Sequence, residues 1–255
     1  MATIRERDLP KGTDFLQLMR ALEHRSIKNT WKALPTLGKK LPVAVKAMGT
    51  VLSYLDRIAS CFWGCSHDDH RLQYLVGRVT TLTHSTLLLT ASGHYDEALA
   101  LIRILGEVTN LLSLFAADKA ELEKWKTLNE KQRWDYFRPY KVRDQLDKLK
   151  APFVVDRERY SMLSSISVHA GPDFMPNAQN DQGRAVLAPR FEIVGLMICV
   201  NELARCIALI SVFATSLIDT PPIIKKRTRT AGRTLAKSVG SIDVVMKGRP
   251  WLKLQ

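Results

Sequence analysis

Arg103 and Glu107 stand four residues apart in the run LALIRILGEVTNLLSLF, whose other positions are almost all apolar. On a helix that spacing puts guanidinium and carboxylate on one face, where an exposed pair costs little and a buried one needs further hydrogen-bonding partners. Glu202 and Arg205 repeat the situation in a second apolar run. Between them the segment from Asp156 to Ala170 offers Glu158, Ser161, Ser165 and His169. At 100° per residue these four side chains fall within about 80° of one another. Three helices can thus meet around one polar cluster. Arg103, Glu107 and His169 are its candidate catalytic residues, with the imidazole as proton carrier or ligand contact. The alternative is a structural network or a solvent-facing set of charges.

Other constellations carry less. Cys61, Cys65, His67 and His70 place two thiols and two imidazoles within ten residues, ligand types that zinc accepts. Four tetrahedral ligands from so short a segment are hard to arrange, and buried thiols with exposed histidines at a helix turn explain the same residues. No cofactor follows from the sequence. Arg78 and His84 have a spacing known from helical ribonucleases, but six steps along a helix turn two side chains about 240° apart, away from a common face.

The charge of +13 is unevenly placed: residues 1–46 carry +6, residues 225–255 carry +8, and the body between them is close to neutral. Clustered cations concentrate phosphate and release counterions, so Lys225, Lys226, Arg227, Arg229 and Arg233 are the candidate nucleic-acid contacts, RNA or DNA. The run KKRTRTAGRTLAKSVG shows no repeating apolar stripe, and one aromatic, Trp251, follows it. It reads as a flexible basic tail that touches phosphate rather than base edges. A solubilising tail is the competing explanation.

The elements that must position these residues are helices. With 46% hydrophobic residues over 255 positions the chain can fill a core, while 13 glycines and 11 prolines are few for a β-sandwich or barrel. Phe15, Leu18, Met19 and Leu22 mark a first helix with Asp14 as its cap. Val45, Met48, Leu52, Leu55 and Ile58 mark a second, with Pro42 at its start. Residues 66–116 read as a long antiparallel hairpin that turns at Gly93, with Ser66 as N-cap. Residues 118–150 read as shorter helices across it, 171–189 as a long loop, and 189–218 as a core helix ending before Pro221 and Pro222. The expectation is an all-α, up-and-down helical bundle over residues 41–220, preceded by a basic helix and linker (1–40) and followed by a basic tail (221–255).

The N-terminus MATIRERDLPKGTDF has no apolar core of a signal peptide, so a cytoplasmic location with reduced thiols is expected. The longest uncharged piece of the most apolar segment, Cys206 to Ile218, is too short to span a bilayer of about 30 Å, so no membrane span is expected. A homodimer is a further candidate assembly.

The run GHYDEALALIRILGEVTNLLSLF, followed about fifty residues later by YSMLSSISVHAG, resembles a bacterial helical family related to HEPN-type bundles. The resemblance covers roughly residues 66–218. It implies a cytoplasmic bundle in a bacterial defence or toxin setting. It also implies that Arg103 and Glu107 pair with Ser164 or Ser165 and His169 on a later helix. An arginine-to-histidine motif at the start of a late helix, typical of ribonuclease-type members, is not present in persuasive form. The expected function is therefore an accessory protein that binds nucleic acid, or a nucleic-acid-bound partner, through its basic ends. The alternative is an RNA-directed nuclease or nucleotide-modifying toxin.

Overall fold

Nearly every position between Gly195 and Thr215 is buried, and a helix apolar on all sides has to be surrounded by others. The computed structural model describes residues 11–64, 69–167 and 189–239. Among them the chain forms α1 (Gly12–Ala33), a 3-10 turn (Leu34–Thr36), α2 (Lys40–Ala59), α3 (Arg71–Ser92) and α4 (Tyr95–Ala117). There follow α5 (Lys119–Thr127), α6 (Glu130–Tyr136), α7 (Pro139–Lys148), α8 (Arg157–Ser167), α9 (Ile193–Leu217) and α10 (Pro222–Val239). No strand occurs among the described residues, and the fold is an all-α helical bundle. The central helix α9 packs against α2, α3, α4 and α10.

The expected hairpin is α3 and α4, closed by Gly93, whose φ of 92° is a left-handed conformation that favours glycine. A side chain there would also strike the backbone of Arg190, so this turn seats the chain that leads into α9. The Tyr95 hydroxyl accepts a hydrogen bond from the Glu192 N–H at 2.9 Å, and the Glu192 carboxylate caps α9 by accepting from the Gly195 N–H at 2.6 Å. Gly195 leaves room for the Tyr95 ring, which an added Cβ would meet at 2.4 Å. The charged segment after α4 does form short helices, with Asp118 capping α5, an Asn129–Gln132 capping box on α6 and Pro139 opening α7.

Three expectations need correction. Residues 222–239 are not a flexible tail: they form α10, which packs along α9 and α2. Its inward stripe of Thr228, Ala231, Gly232, Leu235 and Val239 is built mostly of small residues. Asp14 is not the cap of α1 but lies in its first turn, where a negative charge suits the helix dipole. The second helix begins at Lys40, so Pro42 sits inside the first turn, where its missing N–H has no partner to lose. Ser66, the expected cap of α3, lies outside the described residues, as do residues 240–255.

Two helices, α4 and α9, are long and apolar enough to cross a membrane by length and composition. The larger part of each is buried inside the fold, where both serve as core.

Candidate functional site

Along α4 one polar stripe, Arg103, Glu107 and Asn110, runs toward the segment that leads into α8. The Asn110 amide donates to the Val155 carbonyl at 2.8 Å, and its oxygen accepts from the Val154 N–H at 2.9 Å. Ser113 Oγ donates to the Pro152 carbonyl. Gly106 allows Val155 to close onto α4, since an added Cβ would stand 2.2 Å from its Cγ2. Asp156 then accepts from the Arg159 N–H at 2.7 Å and starts α8.

This placement brings the expected partners together, but through a different face of α8. Glu158, Ser161 and Ser165 are exposed, whereas Arg159, Tyr160 and Ser164 are turned inward. Arg103 donates to Ser164 Oγ at 3.3 Å, lies 3.3 Å from the Glu107 carboxylate and holds its guanidinium over the Tyr160 ring, 4.8 Å from the centroid. Arg143 of α7 also lies over that ring, at 4.7 Å. Burial pushes the Glu107 carboxyl above the usual carboxylate range, against the opposing charges of Arg103 and Arg143. The Glu202 carboxylate, only 5% exposed, is paired with Arg159 through one oxygen and lies 3.8 Å from Arg205 Nε through the other. Arg143 and Arg159 are the members that spacing did not single out. Arg159 stands one position from the expected Glu158, whereas Arg143 lies in the charged stretch 118–150, where no polar face was expected.

His169 lies outside the described residues, so the candidate catalytic trio is represented by Arg103 and Glu107. Both are engaged in the cluster. Burial pushes the thiol of Cys206 up to about 12, which leaves no thiolate for attack near neutral pH. Arg78 and His84 are both exposed on α3. Among the described residues no group of three or more His, Cys, Asp or Glu is arranged to hold a metal. Of the zinc candidates, Cys61 and His70 are described, while Cys65 and His67 lie outside.

The basic residues of α10 divide into two sets. Arg229 donates from Nε to Thr215 Oγ1 at 2.9 Å and from Nη2 to Ser216 Oγ at 2.6 Å, so it fastens α10 to α9. Lys225 is half-buried. Lys226, Arg227, Arg233 and Lys237 are exposed, and α10 contains no acidic residue. Lys226, Arg233 and Lys237 fall within about 40° on the helical wheel and span about 16 Å along the axis. Lys237 was not among the sequence candidates.

Pro221 and Pro222 share a groove with Arg57, Ile58 and Cys61, so the start of α10 meets the end of α2 and the two packed helices run antiparallel. The far end of α10, with Lys237, therefore points toward the start of α2, where Lys39, Lys40 and Lys46 are exposed. Part of the basic head and part of the basic tail thus lie toward one end of the bundle.

Comparisons with protein-family models, curated proteins and solved structures return no match for this chain.

Proposed function

We propose that this protein binds the phosphate backbone of nucleic acid through the outer face of α10, extended by the lysines at the start of α2. The observation that carries this reading is the row Lys226, Arg233 and Lys237: exposed cations on an ordered helix, with no carboxylate on that helix and no ion pair to them among the described residues. Such a row offers counterion release without an internal competitor. Its two lysines act as point charges, and Arg233 is the one member whose guanidinium also suits a base edge, so binding is expected to depend little on sequence. The protein then acts as a scaffold or accessory factor, in keeping with a bacterial defence setting. The nuclease alternative has less behind it, because Arg103 is already engaged by Glu107, Ser164 and Tyr160.

The test is the salt dependence of binding to a fluorescent 20-base-pair duplex, as DNA and as RNA. Replacing Lys226, Arg233 and Lys237 by alanine is expected to weaken binding and flatten the plot of log K against log salt by about 3 in slope. Unchanged affinity and slope in the triple variant would sink the proposal. So would binding to anionic lipid vesicles with none to polynucleotide.

A further inference from the structure

The loop that ends α2 lifts two aromatic rings out of the fold. Cys61, with a φ of 53°, and Gly64, with a φ of 99°, bend the chain sharply on either side of Phe62 and Trp63. Phe62 is 63% exposed and Trp63 36%, with ring centroids 5.6 Å apart in an edge-on arrangement. The Arg57 guanidinium lies over the Phe62 ring at 5.0 Å. Large rings left in solvent beside a cation form a surface on which a flat, π-rich ligand stacks.

Trp63 is also part of the wall of a groove of about 1220 Å³. The groove's charged residues are Arg57, Lys119 and Lys126 against Asp69, Glu123 and Asp219, which balance. Lys126 sits 3.3 Å from Asp69 and 3.0 Å from Glu123, and the Arg71 side chain holds Asp69 well below the usual carboxylate range. A groove whose charges balance, with Lys126 already paired, exerts no net pull on phosphate. Pro221 and Pro222, where α10 begins, line the same groove. On the wheel of that helix Pro222 lies within about 60° of Lys226, Arg233 and Lys237, so groove wall and cationic row share one stripe.

We propose that the preferred ligand is a single-stranded polynucleotide: one or two unpaired bases stack on Phe62 and Trp63 at the groove, and the adjoining phosphates run along Lys226, Arg233 and Lys237. The two regions divide the ligand between them, the neutral groove taking the base and the row of cations taking the backbone. A duplex keeps its bases stacked on one another and can use the cations alone. The inference rests on the phosphate-binding role of α10 and adds the class of nucleic acid to it.

The experiment measures anisotropy of labelled single-stranded oligomers, one RNA and one DNA, and of the matching duplex, with the full chain. The variants are Phe62→Leu/Trp63→Leu, which keeps apolar bulk while removing the stacking rings, and the α10 triple alanine variant. The wild type is expected to favour single strands. The leucine variant should lose about tenfold on single strands, with little change on duplex and an unchanged salt slope, while Phe62→Tyr/Trp63→Phe restores most of the loss. The α10 variant should weaken both ligands. Equal affinity of the wild type for single strand and duplex overturns the inference. So does an unaltered single-strand affinity in the leucine variant. In either case, if the α10 variant still weakens both ligands, phosphate binding survives and the stacking site does not; if the wild type binds no polynucleotide, both fall.

Discussion

Four guanidinium groups, those of Arg103, Arg143, Arg159 and Arg205, meet two carboxylates, Glu107 and Glu202, at the junction of α4, α7, α8 and α9, while α10 carries its outward cations with no carboxylate on the helix. In the first region charge joins helices. Each group is partly or wholly withdrawn from water, so its value depends on keeping its partners. In the second region the cations stand in water and bear on stability hardly at all, which leaves them open to an outside anion. Charge inside the bundle is therefore evidence about architecture, and charge on its outer face is evidence about partners.

The largest effect should come from breaking the inner set. Glu202→Ala leaves two partly buried guanidinium groups without their shared carboxylate and is expected to cost about 3–5 kcal/mol in urea unfolding. Alanine at Lys226 should change stability by no more than about 0.5 kcal/mol. Equal costs at the two positions would erase the contrast. An intermediate loss is expected from Gly232→Ala, whose Cβ would stand 1.9 Å from Ser211 Oγ and 3.1 Å from the Ala208 carbonyl. Forcing α10 off α9 should cost about 1–3 kcal/mol, measured as a shift in the unfolding midpoint. A stability equal to wild type would mean that the two helices slide apart freely.

The smallest effect concerns pH. Burial raises the Glu107 carboxyl above its unfolded value, so the folded protein keeps a proton that the unfolded chain has already released. Stability from this group is therefore lost as pH rises from the ordinary carboxylate value through the raised one. Glu107→Gln should flatten that part of the curve when unfolding midpoints are followed across pH. An identical pH dependence in both proteins would show that Arg103 and Arg143 fully offset the burial.

The hairpin of α3 and α4 and the core helix α9 were legible because large aliphatic residues repeat at helical spacing and Gly93 punctuates them. The helical state of α10 was not, because the stripe Thr228, Ala231, Gly232, Leu235 and Val239 has the right spacing but little apolar volume. A glycine within a basic run reads as a break, although here it marks a close helix crossing. At the cluster, spacing found the pair on α4 and the pair on α9 but chose the exposed face of α8. A serine or glutamate stripe favours water unless the partners wait on the neighbouring helix, and Arg159, which has such a partner in Glu202, looked like one more surface cation.

The small inward face of α10 also bears on the electric field. With Gly232 against Ser211 and Ala208, the helix axis lies nearer the apolar interior than a leucine-lined crossing would allow. Lys226, Arg233 and Lys237 consequently stand directly above a poorly polarisable body, which sends their field lines outward into solvent. A residue without a side chain thus sets how close three outward cations stand to the low-dielectric core, and with it the field they present to solvent.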